Sequence, residues 1–168
     1  MEADAMTAVS EMEESQKIGS EDGVLTEQYL TFIMADEEYG VDILAVQEIR
    51  GWESATPVPN SPNYLKGVIN LRGTIVPIMD LRLRFDLPKI EYGEETVVVV
   101  LKIFTSTGTR TMGIIVDAIS DVYDVPIGEA KNKGLGDNQN SNFIKGLVTV
   151  KKNMVILLEL ENLLTIDD

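Results

Sequence analysis

The stretch YLKGVINLRGTIVPIMDL, residues Tyr64–Leu81, has a counterpart 79 residues later in FIKGLVTVKKNMVILLEL, residues Phe143–Leu160. The two align without a gap over 18 positions, of which 4 are identical and 10 more keep their chemical type. A second pair, residues 39–49 and 112–122, aligns in the same order with an offset of 73 residues. Accidental likeness between apolar strands is the alternative, but the shared order and spacing favour an internal duplication. Two copies are too few for a repeat array and predict a pair of β modules that share an interface.

Short apolar runs broken by Gly, Pro, Asn and Asp recur from Gln28 onward, a spacing typical of a small barrel or sandwich. The fold class is therefore predicted to be mainly β, with five strands in each half. The expected strands are Tyr29–Met34, Glu38–Ile43, Val46–Gly51, Gly67–Leu71, Thr74–Met79, Thr96–Phe104, Arg110–Val116, Ser120–Val125, Ile144–Val150 and Met154–Glu159.

Three local signals add detail to this pattern. Pro77 lies inside an apolar strand and cannot donate to a ladder, so that strand is expected at an edge or with a bulge. Ser61 precedes a proline, a combination that predicts a capped helical turn. Leu160, Leu163 and Leu164 fall on one helical face, which predicts a short C-terminal helix packed on the strands.

The composition excludes several kinds of site. The 168 residues include no cysteine and no histidine, so disulfides, zinc–thiolate sites, imidazole ligands and cysteine or histidine catalysis are all ruled out. No signal peptide is recognisable, and the apolar runs are far shorter than the about 20 residues that span a bilayer. The expectation is a soluble cytoplasmic protein without a cofactor or a metal.

The formal charge of −14 is concentrated at the N-terminus, where residues 1–28 hold eight acids and one lysine. This segment has little apolar periodicity and is predicted to be a disordered acidic tail. An acidic surface repels nucleic acid and anionic lipid, so neither is an expected partner and direct membrane insertion is not expected.

Arg72 is the most informative polar residue of the first half, because it lies in a turn where its five donors can pair with a carboxylate. Glu48 is its best internal partner, and alternation along the strand is expected to expose the Val46 side chain on the same face as Glu48. We expect Arg72 and Glu48 to meet at a groove between the modules, where an exposed pair adds only about 0–1 kcal/mol to stability. The alternative is an ordinary surface arginine.

Other polar clusters carry less chemistry. Asp137–Asn142 lacks the ligand spacing of a calcium-binding loop, and the surrounding residues 128–142 are predicted to form a long mobile loop without an assigned role. Asp117, Asp121 and Asp124 are expected to face solvent rather than to form an acid–base or metal cluster.

Taken together, four segments of the chain resemble the family of bacterial chemotaxis coupling proteins, CheW. They are EEYGVDILAVQEIRG (37–51), YLKGVINLRGTIVPIMDLR (64–82), MGIIVDAISDVYDVP (112–126) and FIKGLVTVKKNMVILLELENLL (143–164). The resemblance covers nearly everything after the tail, and GVINLRGTIVPIMDLR is its most specific part. It implies two SH3-like five-stranded barrels around a common apolar core in residues 29–168. The subdomains would span about 29–92 and 93–168, with exchange of strands between them left open.

The resemblance also implies a non-enzymatic adaptor. Its partners would be the cytoplasmic tip of methyl-accepting chemotaxis receptors and the CheW-like regulatory domain of the histidine kinase CheA, and it would be recruited from the cytoplasm to membrane receptor arrays. Matching positions imply nine partner-binding residues, of which the glycines are at least as well explained by a structural role. These residues are Val46, Glu48, Gly67, Arg72, Val97, Gly113, Ile119, Val122 and Gly146.

Other functions remain to be weighed against the adaptor. A carboxylate-dependent hydrolase would need two acids converging in a pocket. An oligonucleotide-binding barrel would need a basic groove with stacking aromatics, against the acidic background of this chain. The same fold also occurs in the regulatory domain of CheA and in CheV, but the kinase or receiver modules expected of those proteins are missing from this sequence, so a free-standing coupler is preferred.

Overall fold

The computed structural model describes residues 25–128 and 141–165, and within these ranges the chain is almost entirely β. The strands are β1 Thr26–Met34, β2 Glu37–Asp42, β3 Val46–Gly51, β4 Leu65–Leu71, β5 Thr74–Asp80, β6 Val97–Thr105, β7 Gly108–Val116, β8 Ala118–Pro126, β9 Ile144–Val150 and β10 Asn153–Leu158. Two short helices follow β5 and β10, namely α1 Leu81–Arg84 and α2 Leu160–Leu163. Each of the ten predicted strands is present, with ends that differ by a few residues at most.

The strands form two five-stranded curled sheets. Sheet one has the order β8-β1-β2-β10-β9, and sheet two has the order β3-β6-β7-β5-β4. Each sequence half therefore gives two strands to one sheet and three to the other. The predicted division near residue 93 separates the two repeats but not the two sheets, because the halves exchange strands reciprocally.

Strand pairing confirms the internal duplication. In sheet two, β5 runs parallel to β7 with Ile78 opposite Gly113. In sheet one, β10 runs parallel to β2 with Leu157 opposite Gly40. Applying the sequence offsets of 79 and 73 residues to the first pair yields the second pair, so the repeats superimpose strand for strand.

Three apolar clusters hold the sheets together. The largest is shared, because it takes side chains such as Phe32 from sheet one and Leu101 from sheet two. A smaller cluster around Tyr123 and Leu157 fills the curl of sheet one. Another, around Val98 and Ile115, fills the curl of sheet two. Since successive side chains of a strand point to opposite faces, each sheet buries one face in its own curl and the other against its neighbour.

The C-terminal helix is confirmed, since Leu160, Leu163 and Leu164 are all buried. The other helix, α1, was not predicted, and it begins where the Asp80 side chain accepts a hydrogen bond from the Leu83 amide. The helical turn expected after Ser61 is present only as a single hydrogen-bonded turn, in which the Leu65 amide donates to the Pro62 carbonyl. Ser61 does not cap this turn, since its hydroxyl donates to the Val58 carbonyl.

Pro77 has no backbone N–H, and the sheet accommodates this missing hydrogen-bond donor at a position where no neighbour needs it. It lies opposite Val68 of β4, whereas the parallel ladder to β7 begins only at Ile78. In the second repeat the equivalent Ile156 retains its amide and joins the parallel ladder opposite Tyr39. The prediction of an edge position thus holds for the first part of β5, but the strand becomes internal one residue after the proline.

The expected tail is shorter than predicted at its C-terminal end. Thr26 lies opposite Pro126, so residues 26–28 belong to β1 and not to a disordered segment. The remaining tail prediction, for residues 1–24, falls outside the described residues. Most of the loop expected at 128–142 does so as well, and with it residues 137–140 of the rejected calcium-binding pattern Asp137–Asn142.

The close approach of β7 to its neighbours yields a test of the packing. A Cβ at Gly113 would lie 2.6 Å from Ile78 Cδ1 and 2.8 Å from Val98 Cγ1. Because this overpacks a buried cluster, we expect Gly113→Ala to lower the free energy of unfolding by about 1–3 kcal/mol in urea titrations. Gly93→Ala is the control, since nothing lies within 4 Å of its Cβ position. Equal midpoints for the two variants would contradict this account.

Candidate protein-binding site

Glu48 and Arg72 are brought together by two local distortions of sheet two. A β-bulge between Val46 and Glu48 interrupts the alternation of β3. Arg72 lies in the β4–β5 turn with φ 51°, followed by Gly73 with φ 89°, and the Gly73 amide donates to the Asn70 side chain. Arg72 Nη2 donates to Glu48 Oε1 at 2.6 Å, which confirms the predicted pair.

The carboxylate of Glu48 is held by two guanidinium groups. Arg50 Nη1 lies 3.5 Å from Glu48 Oε2, in addition to the contact from Arg72. Only 13% of the Glu48 side chain is exposed, against 76% of the Arg72 side chain. Glu48 therefore anchors the arginine, and most of the Arg72 side chain remains available to a partner.

The ion pair also joins the two edge strands of sheet two. β3 and β4 are the first and last strands of that sheet, and the Thr56–Val68 bridge connects the chain after β3 to β4. Arg72 and Glu48 make a further connection between the β4–β5 turn and β3, so the pair helps to close the curl of the sheet.

An open cleft of about 470 Å³ lies beside the pair. Its walls come from all five strands of sheet two, β3 to β7, and include Gln47, Lys102, Thr109 and Thr111. The sequence predicted that Arg72 and Glu48 meet in a groove between the two modules, and this location is wrong. The pair lies within sheet two, because that sheet curls until β3 and the β4–β5 turn come together.

The second repeat has a different contact at the same place. Lys151 occupies the position of Arg72, and its Nζ lies 5.6 Å from the centre of the Tyr123 ring on β8. A cation–π contact thus replaces the ion pair at the edge of sheet one. Sequence reasoning missed this contact, although the alignment of Arg72 with Lys151 was visible, because β8 and β9 are brought together only by the tertiary fold.

The comparisons with known proteins agree with this architecture. The family model of the CheW-like domain matches residues 28–168. The chemotaxis protein CheW of Klebsiella aerogenes is 40% identical over 143 residues, which cover 84% of each chain. That of Rhizobium meliloti is 34% identical over 136 residues, covering 80% of this chain and 85% of the relative.

The crystal structure of the scaffolding protein TtCheW from Thermoanaerobacter tengcongensis is similar at a TM-score of 0.76 and 26% identity. It covers 88% of this chain and 94% of that chain. This chain belongs to the CheW-like family. The resemblance expected from the sequence and the fold of two curled five-stranded sheets are both confirmed.

Four of the nine residues expected to matter in a CheW-like protein are apolar members of the shared core. Val46 is buried, which corrects the expectation that its side chain is exposed beside Glu48. The bulge at Gln47 is the reason, since an extra residue turns the two side chains to different faces. Val97, Ile119 and Val122 are partly buried at the margin of this core.

The three glycines expected in the CheW-like site are buried in the strands. Gly67 has φ 145°, and a Cβ there would lie 2.2 Å from the Thr56 carbonyl oxygen. Gly113 of β7 faces Ile78, and Gly146 of β9 lies opposite Leu157 of β10. Their positions give these glycines a structural role, so any effect on partner binding is expected to pass through the fold.

The three acids considered for catalysis do not converge. Asp124 accepts from Gln28, and Asp121 accepts from the adjacent Val122 amide. Asp117 is only 22% exposed and forms a two-pronged pair with Arg82, which corrects the expectation that it faces solvent. Within residues 25–128 and 141–165, no group of three or more acids could hold a metal ion. No helix in this part of the chain is long and apolar enough to cross a membrane.

The surroundings of Asp117 lower the pKa of its carboxyl group. Burial by itself would raise the pKa, but hydrogen bonds from Arg82 and the Ala35 amide, with the charge of Arg82, hold the pKa of Asp117 below the ordinary value of 3.8. A carboxylate with a lowered pKa in the folded state stabilises the fold above its unfolded pKa. That stabilisation is lost as the pH falls through the lower, folded pKa.

We therefore expect Asp117→Asn to lower the free energy of unfolding at pH 7, and this difference from the wild type to shrink below pH 3.8. Urea titrations across this range measure it. Glu94→Gln serves as a control at an exposed acid without a described partner. A deficit of Asp117→Asn that is independent of pH would show that the carboxylate charge is not involved.

Because the Arg72 side chain is largely exposed, its role in partner binding can be tested apart from its effect on the stability of the fold. We expect Arg72→Ala to change the free energy of unfolding by only about 0–1 kcal/mol, because its charge is mostly solvated. A double-mutant cycle with Glu48→Gln, read out by urea titration, should give a coupling energy of similar size. A large loss of stability for Arg72→Ala alone would instead assign the residue to the scaffold.

Proposed function

We propose that this chain couples methyl-accepting chemotaxis receptors to the histidine kinase CheA. It would act without catalysis, in the cytoplasm, as a bridge recruited to receptor arrays at the membrane. The observation that carries this proposal is the 40% identity, over 84% of each chain, to the chemotaxis protein CheW of Klebsiella aerogenes.

The described surface is compatible with such a bridge. The Arg72 side chain projects beside an open polar cleft, where its donors can form charge-assisted hydrogen bonds with an acidic or carbonyl-rich partner surface. Val97, Ile119 and Val122, at the margin of the shared core, are partly buried apolar residues that do not line this cleft. Two separate surfaces allow two partners to bind at once.

We assign the nine residues to three groups on this basis. Arg72 and Glu48 would act in direct contact with a partner, with Glu48 holding the arginine in place. The apolar margin, Val97, Ile119 and Val122, would contact a partner through side-chain packing. The buried residues Val46, Gly67, Gly113 and Gly146 would act by keeping the strands in the positions that these contacts need.

Array assembly explains why weak contacts are sufficient. A standard protein interface removes about 1,600 Å² from solvent, and a domain of this size has room for two such patches. When many copies are tethered side by side, the effective local concentration raises the overall affinity well above that of each contact. Modest individual affinities are therefore expected for both partners.

The test is titration calorimetry of the full chain against the regulatory domain of CheA and against a receptor cytoplasmic tip. We expect the chain to bind each of the two partners saturably, alone and in the presence of the other, and to catalyse no reaction. Arg72→Ala should weaken one of the two interactions by about tenfold, as loss of a charge-assisted contact implies. Lys89→Ala is a control at an exposed cation outside the cleft. Failure of both partners to bind the folded wild-type chain would refute the proposal.

A further inference from the structure

In each repeat the chain passes once from one sheet to the other, and we call each of these places a junction. Side-chain contacts close one of the two junctions. The link between β7 and β8 contains Asp117, whose carboxylate is gripped by Arg82 of α1 at 3.0 and 2.8 Å. Asp117 also accepts from the Ala35 amide in the β1–β2 turn, and Arg82 also donates to the Pro88 carbonyl. We call this the closed junction.

The same place in the other repeat, here called the open junction, lacks these contacts. The sequence offsets put Leu44 at the position of Asp117 and Glu161 at the position of Arg82. A leucine and a glutamate cannot form an ion pair. Leu44 is instead 52% exposed in the link between β2 and β3.

The β6–β7 hairpin beside the open junction is also longer than the equivalent β1–β2 hairpin beside the closed junction. Gly40 pairs with Thr31 and its equivalent Gly113 pairs with Val100, so the Ala35 turn of the first hairpin corresponds to Phe104 in the second. There β6 and β7 continue to pair beyond Phe104, and the Phe104 side chain is 81% exposed. Among the described residues, it is the most exposed large apolar side chain.

A groove of about 240 Å³ marks the open junction. Apolar groups line it from both sheets, including Ile103, Phe104, Leu158 and Leu160. This groove is separate from the Glu48–Arg72 cleft, since the two have no lining residue in common. Phe104 therefore does not stand alone, but extends the apolar lining of the groove into solvent.

The rim of the groove is acidic. Asp42, Glu159 and Glu161 line it, and within the described residues neither glutamate has an ion-pair partner. The single cation of the lining, Lys145, is already engaged. Its Nζ donates to the Tyr29 hydroxyl at 3.0 Å and lies 3.6 Å from Glu27 Oε2. The groove thus combines an apolar floor with negative charge that the chain leaves largely uncompensated.

We propose that the open junction binds a peptide segment of another protein in which a basic residue lies beside an apolar one. The apolar side chain would pack on Phe104 and the groove floor, and the basic group would pair with Glu159 and Glu161. The partner would supply the cation that Arg82 supplies within the closed junction. This contact is additional to the proposed receptor and kinase coupling and does not rest on it.

Charge argues against the N-terminal segment and against a second copy of the chain as occupants. Residues 1–24 contain seven acids and one lysine, so the N-terminal segment would be repelled by the rim. A second copy carries the same formal charge of −14. A basic partner segment is the occupant that complements both the apolar floor and the acidic rim.

The test is a nuclear magnetic resonance titration of the full ¹⁵N-labelled chain with a short amidated peptide of leucine and arginine. The same peptide with glutamate in place of arginine is the matched control ligand. We expect amide shifts centred on the open junction, with binding that weakens as salt is added. The acidic peptide should not bind.

Variants locate the contact. Phe104→Ser should weaken binding by about tenfold or more, because the apolar side chain of the peptide loses the aromatic surface on which it packs. Glu161→Gln should reduce the salt dependence. Ile75→Ser is the matched control, since Ile75 is 60% exposed on the β4–β5 hairpin and lies outside the groove. Equal binding by the two peptides, shifts centred on the Glu48–Arg72 cleft, or equal losses for Phe104→Ser and Ile75→Ser would each overturn the proposal.

Discussion

The shared apolar core between the two sheets is the constraint on which the rest of the structure depends. Each sheet has one face in its own curl and the other in this common cluster, and each is assembled from strands of both repeats. Neither repeat can therefore bury its apolar faces alone. Hydrophobic burial links the two halves into one folding unit, because separation would expose both the common cluster and the edges of the exchanged strands.

The polar contacts lie at the periphery of this core and take their geometry from it. Glu48 lies on the first strand of sheet two and Arg72 lies in the turn after the last strand, so they meet only because that sheet curls around its own cluster. Asp117 and Arg82 meet where the chain passes from one sheet to the other. Side chains placed on such a framework are held in position by packing, which is what a protein-binding site requires.

Divergence between the repeats gives the two ends of the molecule different chemistry. An ion pair at one hairpin is replaced by a lysine over Tyr123 at the other. A sealed junction at Asp117 corresponds to an open one at Leu44. The duplicated backbone preserves the fold, because packing needs only apolar groups of suitable size at the shared positions. The solvent-facing positions are then free to specialise.

The sequence by itself determined the ten strands, the duplication and the terminal helix, because these follow from local periodicity, turn chemistry and the alignment of the repeats. It also predicted that Arg72 pairs with Glu48, but their meeting within sheet two depends on the curl of that sheet. The exchange of strands, the burial of Val46 and the contact between Asp117 and Arg82 were decided only by the tertiary structure. A periodic pattern specifies which face of a strand is apolar, but not which neighbour covers it. A single-residue bulge at Gln47 turned Val46 away from Glu48, since alternation fails wherever a strand carries an extra residue.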